Sequence, residues 1–213
     1  MPPPSDDRST TRGPYAKGIA RRQEILDRAL EVFAQRGSDR TSLRAIAKEV
    51  GVTHAALTHY FGSLEELLVA VYRESESRAD DHDAPTPLTT PVELMHAWTK
   101  RNREVPGLVQ LYTSLVASAL EQDHPAATEF ATSRFARART DIAEWARASQ
   151  REGVLRDDVD PDAVAALVVA ASDGLQTQWL LDDRLDENHA LHHLDRLLRV
   201  PGGSPQGPTT AGG

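Results

Sequence analysis

Residues 41–61, TSLRAIAKEVGVTHAALTHYF, carry short and hydrogen-bonding side chains that suit contact with DNA bases. A helix that enters a major groove about 12 Å wide needs short side chains on its leading face and no carboxylate near the phosphates. The second half of this segment contains no acidic residue. We therefore predict a base-reading face that is made of Thr53, His54, Ala55, Ala56, Thr58 and His59.

Three residues near the start of the same segment suit a phosphate rather than a base. Thr41 and Ser42 place hydroxyl groups beside the free N–H groups at the N-terminus of a predicted helix, where an anion is favoured. Arg44 lies one turn further along and adds a positive charge. We expect these three residues to contact the DNA backbone.

A helix-turn-helix would hold these side chains in place, and the apolar positions of the segment fit one. Two helices this short need a packed neighbour, because isolated helices under about 12–15 residues are marginal in water. Gly51 stands at the bend between them, where a positive φ is cheap only for glycine. The positions that we expect to be buried at helical spacing are Leu43, Ile46, Ala47, Val50, Val52, Leu57 and Tyr60.

The segment RRQEILDRALEVFAQRG, together with TSLRAIAKEVGVTHAALTHYFGSLEELL, resembles the N-terminal domain of the TetR family of bacterial transcription regulators. The resemblance covers roughly residues 20–72. It implies an all-α homodimer with a three-helix DNA-binding head and a variable helical body that binds a small-molecule inducer. Tyr60 and Phe61 match the family's aromatic pair, which adds Tyr60 to the expected DNA contacts.

Composition excludes several chemistries and points to an uneven charge distribution. The 213 residues include no cysteine, so disulfides, thiolate metal ligands and cysteine nucleophiles are ruled out. The net charge is −8, yet residues 1–60 hold ten Lys and Arg against seven Asp and Glu. A mildly basic head therefore precedes an acidic body, an asymmetry that favours localised anion binding.

Motifs of enzymes, cofactor sites and membrane proteins are missing from the sequence. It contains no phosphate-binding loop, no hydrolase elbow and no dinucleotide motif, so we expect neither enzymatic activity nor a cofactor. The first 18 residues lack the apolar core of a secretory signal. No run reaches the roughly 18 apolar residues that cross a bilayer, so we expect a cytoplasmic protein without membrane contact.

The chain as a whole predicts an all-α fold of about nine helices. Helix 1 is expected from about Ala20 to Arg36, and capping boxes are expected at Ser63 and Thr90. Pro106, Pro125 and Pro161 mark the starts of three later helices. The predicted divisions are a disordered arm at 1–18, a helix-turn-helix domain at 19–62, a ligand-binding and dimerisation domain at 63–200 and a disordered tail at 201–213.

Two late helices are the expected homodimer interface. The helix at 161–181, PDAVAALVVAASDGLQTQWLL, is apolar nearly all round, which indicates burial on several sides. Its alanines and Gly174 permit close approach of a partner helix. The helix at about 187–199 completes a predicted four-helix interface, and burial within a monomeric core is the alternative.

A ligand site in the body is predicted from scarce aromatic residues on separate helices. Aromatic residues make up 5% of the chain, and pockets are mostly apolar with a few placed polar groups. Core packing is the alternative role for the same aromatic side chains. The residues that we expect at an inducer site are His96, Trp98, Tyr112, Trp145, Gln178 and Trp179.

These patterns together predict a ligand-responsive regulator that binds double-stranded DNA at a palindromic operator and acts as a repressor. One alternative is a regulator that is controlled by a partner protein or acts as an activator. Another class is a helical metal-dependent hydrolase, because His189, His192 and His193 lie at i, i+3 and i+4 on one helical face. No neighbouring carboxylate completes a hydrolytic motif, so we expect no metal site.

Overall fold

Nine α-helices and no named strand make up the part of the chain that the structure describes, which confirms the all-α prediction. The computed structural model describes residues 13–37, 41–80 and 90–201. Leu155 and Arg199 form one isolated antiparallel bridge. The helices are α1 (Gly13–Arg36), α2 (Leu43–Val50), α3 (His54–Phe61), α4 (Leu64–Asp80), α5 (Pro91–Glu104), α6 (Leu108–Ser118), α7 (Pro125–Arg151), α8 (Pro161–Leu181) and α9 (Glu187–Leu198).

The first three helices form the head, and their apolar stripes share one core with α4, α6 and α7. Full burial of an aliphatic or aromatic side chain stabilises the fold by about 1.5–3 kcal/mol, so this shared core supports the two short helices. Tyr60 departs from the prediction, because 40% of its surface is exposed while Phe61 is buried. The buried residues of the head are Ile25, Leu26, Ala29, Val32, Phe33, Ile46, Ala47, Val50, Leu57 and Phe61.

Gly51 ends α2 and makes the turn toward α3. Its φ of 71° and ψ of 38° lie in the left-handed region, as predicted for the bend. The Arg21 guanidinium on α1 donates to the carbonyl oxygens of Val50 and Gly51, each at 3.3 Å. A side chain of α1 therefore satisfies carbonyl groups that the end of α2 leaves open, which fixes the turn to the head.

Two predicted helix starts are wrong. Helix α1 begins at Gly13 rather than Ala20, so residues 13–18 are helical although they were assigned to the disordered arm; residues 1–12 lie outside the described part. Helix α6 begins at Leu108, because Gly107 adopts a φ of 78°. A Cβ at Gly107 would lie 2.6 Å from the Cβ of Ala34, so close contact between α1 and α6 requires the glycine.

The other predicted starts agree with the structure, with one difference at Ser63. Thr90 forms a complete capping box with Glu93, and α7 and α8 begin at Pro125 and Pro161. Only half of the Ser63 box is present: Ser63 Oγ accepts from the Glu66 N–H at 3.1 Å, whereas the Ser63 N–H donates to Phe61. Residues 202–213 of the predicted tail lie outside the described part.

Helices α5, α7, α8 and α9 enclose the second core, and α7 and α8 form its most extensive pair. Helix α8 differs from expectation because it is long and apolar enough to cross a membrane, by length and composition only. Its alanines and valines raise its hydropathy, but 33% of its most apolar stretch is buried within the chain. Core helices of globular proteins have the same composition. The part of α8 that is not buried within the chain faces outward.

Candidate DNA-binding face and ligand cleft

Helix α3 presents the predicted base-reading face. Leu57 and Phe61, four residues apart, anchor its other side in the core. The exposed side lies between them and carries no carboxylate along the whole of α3. Ala56 is half-buried, and the exposed members of the predicted face are Thr53, His54, Ala55, Thr58 and His59.

Hydroxyl side chains fix the ends of both short helices. Ser42 Oγ accepts from the Ala45 N–H at 3.2 Å, and Thr53 Oγ1 accepts from the Ala56 N–H at 3.1 Å. An N-cap of this kind contributes about 1 kcal/mol to helix stability. Ser42 and Thr53 also remain exposed, so both side chains keep lone pairs and a hydroxyl proton on the outer surface.

Thr41 does not lie on that surface. Only 6% of its surface is exposed, and its hydroxyl donates to the Gly37 carbonyl at 2.5 Å. The hydroxyl therefore holds the segment before α2 against the end of α1 instead of facing a phosphate. Arg44 is exposed as predicted.

Two more exposed residues extend the face, and one of them was not predicted from the sequence. Lys48, in the last turn of α2, is exposed and basic. Its helical position, four residues after Arg44, is a signal that could have identified it. Tyr60 was expected both in the core and at the DNA, and its exposure favours the second role. Arg22 of α1 lies over the Phe61 ring, 5.2 Å from its centroid.

The body contains a cleft between α4, α5 and α7, which we call the ligand cleft. Its volume is about 160 Å³, below the 300–1,000 Å³ typical of drug-sized sites. A recess of about 20 Å³ continues from it toward α6 and α8, beside Tyr112 and Asp173. The cleft is lined by Glu76, Trp98, Arg101, Asn102, Arg134, Arg137, Ala138 and Asp141.

Two of the six predicted inducer residues meet in this region. Trp98 lines both the cleft and the recess, and Tyr112 lines the recess. Arg134 and Asp173, which lie in the same region, were not predicted from the sequence. Nothing in their local spacing distinguishes them, because their burial depends on how the helices pack.

The other four predicted inducer residues lie elsewhere. His96 Nε2 is 2.6 Å from Asn188 Oδ1 between α5 and α9, and Gln178 is exposed with its amide donating to Gly174. Trp145 packs against the second core. Trp179 is covered by the Arg103 guanidinium, 4.0 Å from the ring centroid. Core packing, the alternative role, describes Trp145.

Arg134 is the centre of a polar cluster on the cleft wall. Its Nη1 lies 2.6 Å from Glu76 Oε1, which joins α7 to α4. Its guanidinium also lies over the rings of Tyr72 and Tyr112, 5.3 Å and 4.7 Å from their centroids. The two rings stack at 5.3 Å, and Tyr112 donates to Asp173 Oδ2 at 2.9 Å.

Burial changes the protonation equilibria of this cluster. Removal from water raises the pKa of Tyr72 and of Tyr112, nearby carboxylates also raise both, and the charge of Arg134 opposes the change. Burial also raises the pKa of Asp173, although the hydrogen bond from Tyr112 and the charge of Arg134 oppose that change. Both tyrosines are therefore neutral hydrogen-bonding groups at neutral pH.

The hydrolase alternative requires a metal site. Within residues 13–37, 41–80 and 90–201, no three His, Cys, Asp or Glu side chains are arranged to hold a metal ion. His189, His192 and His193 lie on the exposed side of α9. The structure thus places them on a surface rather than in a cavity.

Two parts of the chain match known protein families. Residues 25–71 match the family described as bacterial regulatory proteins, tetR family. Residues 92–200, about half of the chain, match the C-terminal domain described as the BetI-type transcriptional repressor. The first match contains most of the head, and the second contains α5 to α9.

Curated relatives align over a quarter to a third of the chain. The transcriptional repressor KstR2 of Rhodococcus jostii is 39% identical over 72 residues, which is 34% of this chain and 32% of the relative. The transcriptional regulator BetI of Brucella anthropi is 42% identical over 53 residues, 25% of this chain and 27% of the relative. The chain thus matches about a third of the length of these relatives.

Solved structures share the whole fold. A TetR-family regulator from Rhodococcus sp. superposes with a TM-score of 0.68 at 22% identity, covering 84% of this chain and 98% of that one. A transcriptional regulator from Saccharomonospora viridis in complex with choline gives 0.66 at 23% identity, covering 85% and 99%. These likenesses show a shared fold, and the two family matches establish the affiliation. The chain belongs to the TetR family of bacterial regulatory proteins.

Proposed function

We propose that the chain is a DNA-binding transcriptional repressor that binds a palindromic operator as a homodimer and is released by a small molecule. The observation that carries the proposal is the outer side of α3, which is free of carboxylates and held between Leu57 and Phe61. Such a helix fits a major groove and can read base edges. Support also comes from the family match at residues 25–71 and from the likeness to the repressor KstR2.

Phosphate contacts are assigned to the surface around α3. Arg44 and Lys48 are exposed on α2 at helical spacing, and Ser42 is exposed at its N-cap. Positive side chains that neutralise phosphates supply affinity without sequence information. In this proposal α3 selects the base sequence, whereas α2 positions the protein on the duplex.

The dimer is assigned to the outward side of α8 and α9. Leu167, Leu181 and Leu197 are 61%, 85% and 58% exposed. At helical spacing from Leu167, Ala163, Ala170 and Gly174 are exposed on the same side of α8, where small residues permit close helix contact. Exposed apolar surface of this kind marks an interaction site. A second copy of the chain, paired through the same two helices, would cover it.

Ligand control is assigned to the body, and related structures support that division of labour. The Saccharomonospora viridis protein was solved with choline, and the neighbouring SmeT structure is a complex with triclosan. In our proposal a ligand in the cleft moves α4, which belongs to the core of the head and packs on α1 and α7. The two heads then no longer match half-sites that lie one helical turn, about 34–36 Å, apart on the operator.

Selection of bound duplexes from a random pool tests this function. We expect enrichment of a palindrome whose half-sites are separated by about one helical turn or a multiple of it. Enrichment of an asymmetric site would contradict the symmetric dimer. Recovery of no sequence above the starting pool would contradict base reading by α3.

A further inference from the structure

Arg134, which lines the ligand cleft, already lies on two aromatic rings where a cationic ligand would bind. Aromatic faces attract ammonium and guanidinium groups within about 6 Å of the ring centroid. The faces of Tyr72 and Tyr112 are both occupied by Arg134, at 5.3 Å and 4.7 Å. At these two rings a cationic ligand would therefore meet a positive charge instead of a free aromatic face.

The charges around the cleft also favour an anion. Three guanidinium groups line it, those of Arg101, Arg134 and Arg137, against the two carboxylates of Glu76 and Asp141. One donor on Arg134 remains for a ligand, because its buried Nε has no hydrogen-bond partner among the described residues. A buried charged donor without an acceptor costs stability, and a carboxylate binds a guanidinium through two parallel hydrogen bonds.

Resting on the proposed function, we propose that the inducer is a small organic carboxylate with an apolar body. Its carboxylate binds Arg134, and its apolar part lies against Trp98 in the cleft of about 160 Å³. A cleft of this size suits a compact molecule rather than a drug-sized one.

Competition with Glu76 links such a ligand to the head. Arg134 on α7 pairs with Glu76 on α4 at 2.6 Å, and both side chains are mostly buried. Arg78 lies half a turn further along α4 and pairs with Asp27 on α1 at 2.7 Å. A ligand carboxylate on Arg134 competes with Glu76 for the same guanidinium charge, which weakens the contact between α4 and α7 and shifts the helix that carries the contact to α1.

Binding to the full-length protein tests the ligand class without DNA. The probes are benzoate, phenylacetate and hexanoate, each beside its uncharged amide, with choline as the cation, all measured by calorimetry at fixed salt. We expect at least one carboxylate to bind about tenfold or more tightly than its amide, since the charged hydrogen bond is lost in the amide. Tighter binding of choline, or no preference for any carboxylate, overturns the proposal.

Two variants locate the site, and a third is the matched control. Arg134→Gln should weaken carboxylate binding about tenfold, whereas Glu76→Gln should strengthen it because the competing anion is gone. Arg147 lies on the same helix as Arg134 and pairs with Asp162 at 2.7 Å. Arg147→Gln should change the affinity for the carboxylate less than twofold. If Arg134→Gln does not fold, Glu76→Gln still tests the proposal. Carboxylate binding that is unchanged or weaker in Glu76→Gln contradicts competition between the ligand and Glu76.

Operator binding is then measured separately with the same carboxylate. Release of the selected duplex from the parent protein supports the inducer role. Carboxylate binding without release contradicts the coupling through Glu76 but leaves base reading by α3 untouched. Loss of sequence-specific DNA binding with normal carboxylate binding contradicts the proposed function alone.

Discussion

Tyr112 on α6 donates a 2.9 Å hydrogen bond to Asp173 on α8 at the inner end of the ligand cleft. The bond joins two helices that are far apart in the sequence. It also holds a carboxylate in a place where burial raises its pKa above the ordinary value of 3.8. The charged form of Asp173 is therefore accommodated at a cost to stability.

A dependence of stability on pH follows from Asp173. Because its pKa is raised in the folded protein, the folded state holds this proton more tightly than the unfolded chain does. That contribution is present below about pH 4 and is lost as pH rises through the folded pKa. Asp173→Asn keeps an acceptor for Tyr112 and cannot ionise. The melting temperature of Asp173→Asn minus that of the parent should increase from pH 4 to pH 7. A difference that stays constant or decreases would contradict the burial of Asp173.

Tryptophan fluorescence distinguishes the three tryptophans. Trp98 lines the cleft, whereas Trp145 packs in the second core and Trp179 lies under Arg103. A bound carboxylate should change the fluorescence of the parent protein and of Trp145→Phe, but not that of Trp98→Phe. A ligand response that survives in Trp98→Phe and disappears in Trp145→Phe would place the site elsewhere.

The turn of the helix-turn-helix depends on glycine for backbone reasons alone. Nothing lies within 4 Å of a Cβ built at Gly51, so the positive φ of 71° sets the cost of substitution. Gly51→Ala should lower the free energy of unfolding by about 1–2 kcal/mol. Denaturant titration measures it, with Gly18→Ala in α1 as the control that has open space and no positive φ. Equal effects of the two substitutions would contradict the assignment of strain to Gly51.

The head could be predicted from the sequence because its determinants are local. Helical spacing identified Ile46, Ala47, Val50 and Leu57, and Gly51 identified the bend. Tyr60 shows the limit of such spacing. One position separates it from Phe61, and a rotation of about 100° per residue decides which of the two enters the core.

The ligand cleft could not be predicted in the same way because it depends on which faces of distant helices converge. Trp98 and Trp145 have the same chemistry and similar exposure, yet only Trp98 lines the cleft. Arg134 and Asp173 have the side chains of surface residues, and their burial arises from packing of α7 and α8 against α4 and α6. Spacing within one helix contains no information about that convergence.

The proposed dimer interface predicts a contrast between two exposed leucines. Leu167 on α8 is 61% exposed and Leu120 after α6 is 87% exposed, so neither substitution removes a core side chain. In a symmetric dimer, Leu167→Glu places two like charges in the interface, one from each protomer. The variant should therefore yield monomers that bind operator weakly. Leu120→Glu should remain dimeric. Sedimentation measures both masses, and a dimeric Leu167→Glu protein would move the interface away from this part of α8.

The ratio of dissociation constants for the selected operator and for a scrambled duplex of equal length tests the central claim most directly. Measured by fluorescence anisotropy at one salt concentration, this ratio isolates base reading from phosphate attraction. His59→Ala on α3 should reduce the parent's preference for operator about tenfold, because a lost base contact costs about 1–3 kcal/mol. Arg44→Ala on α2 should weaken both complexes equally and leave the ratio unchanged. An unchanged ratio in His59→Ala, or a collapsed ratio in Arg44→Ala, would contradict the assignment of α3 as the helix that reads the DNA.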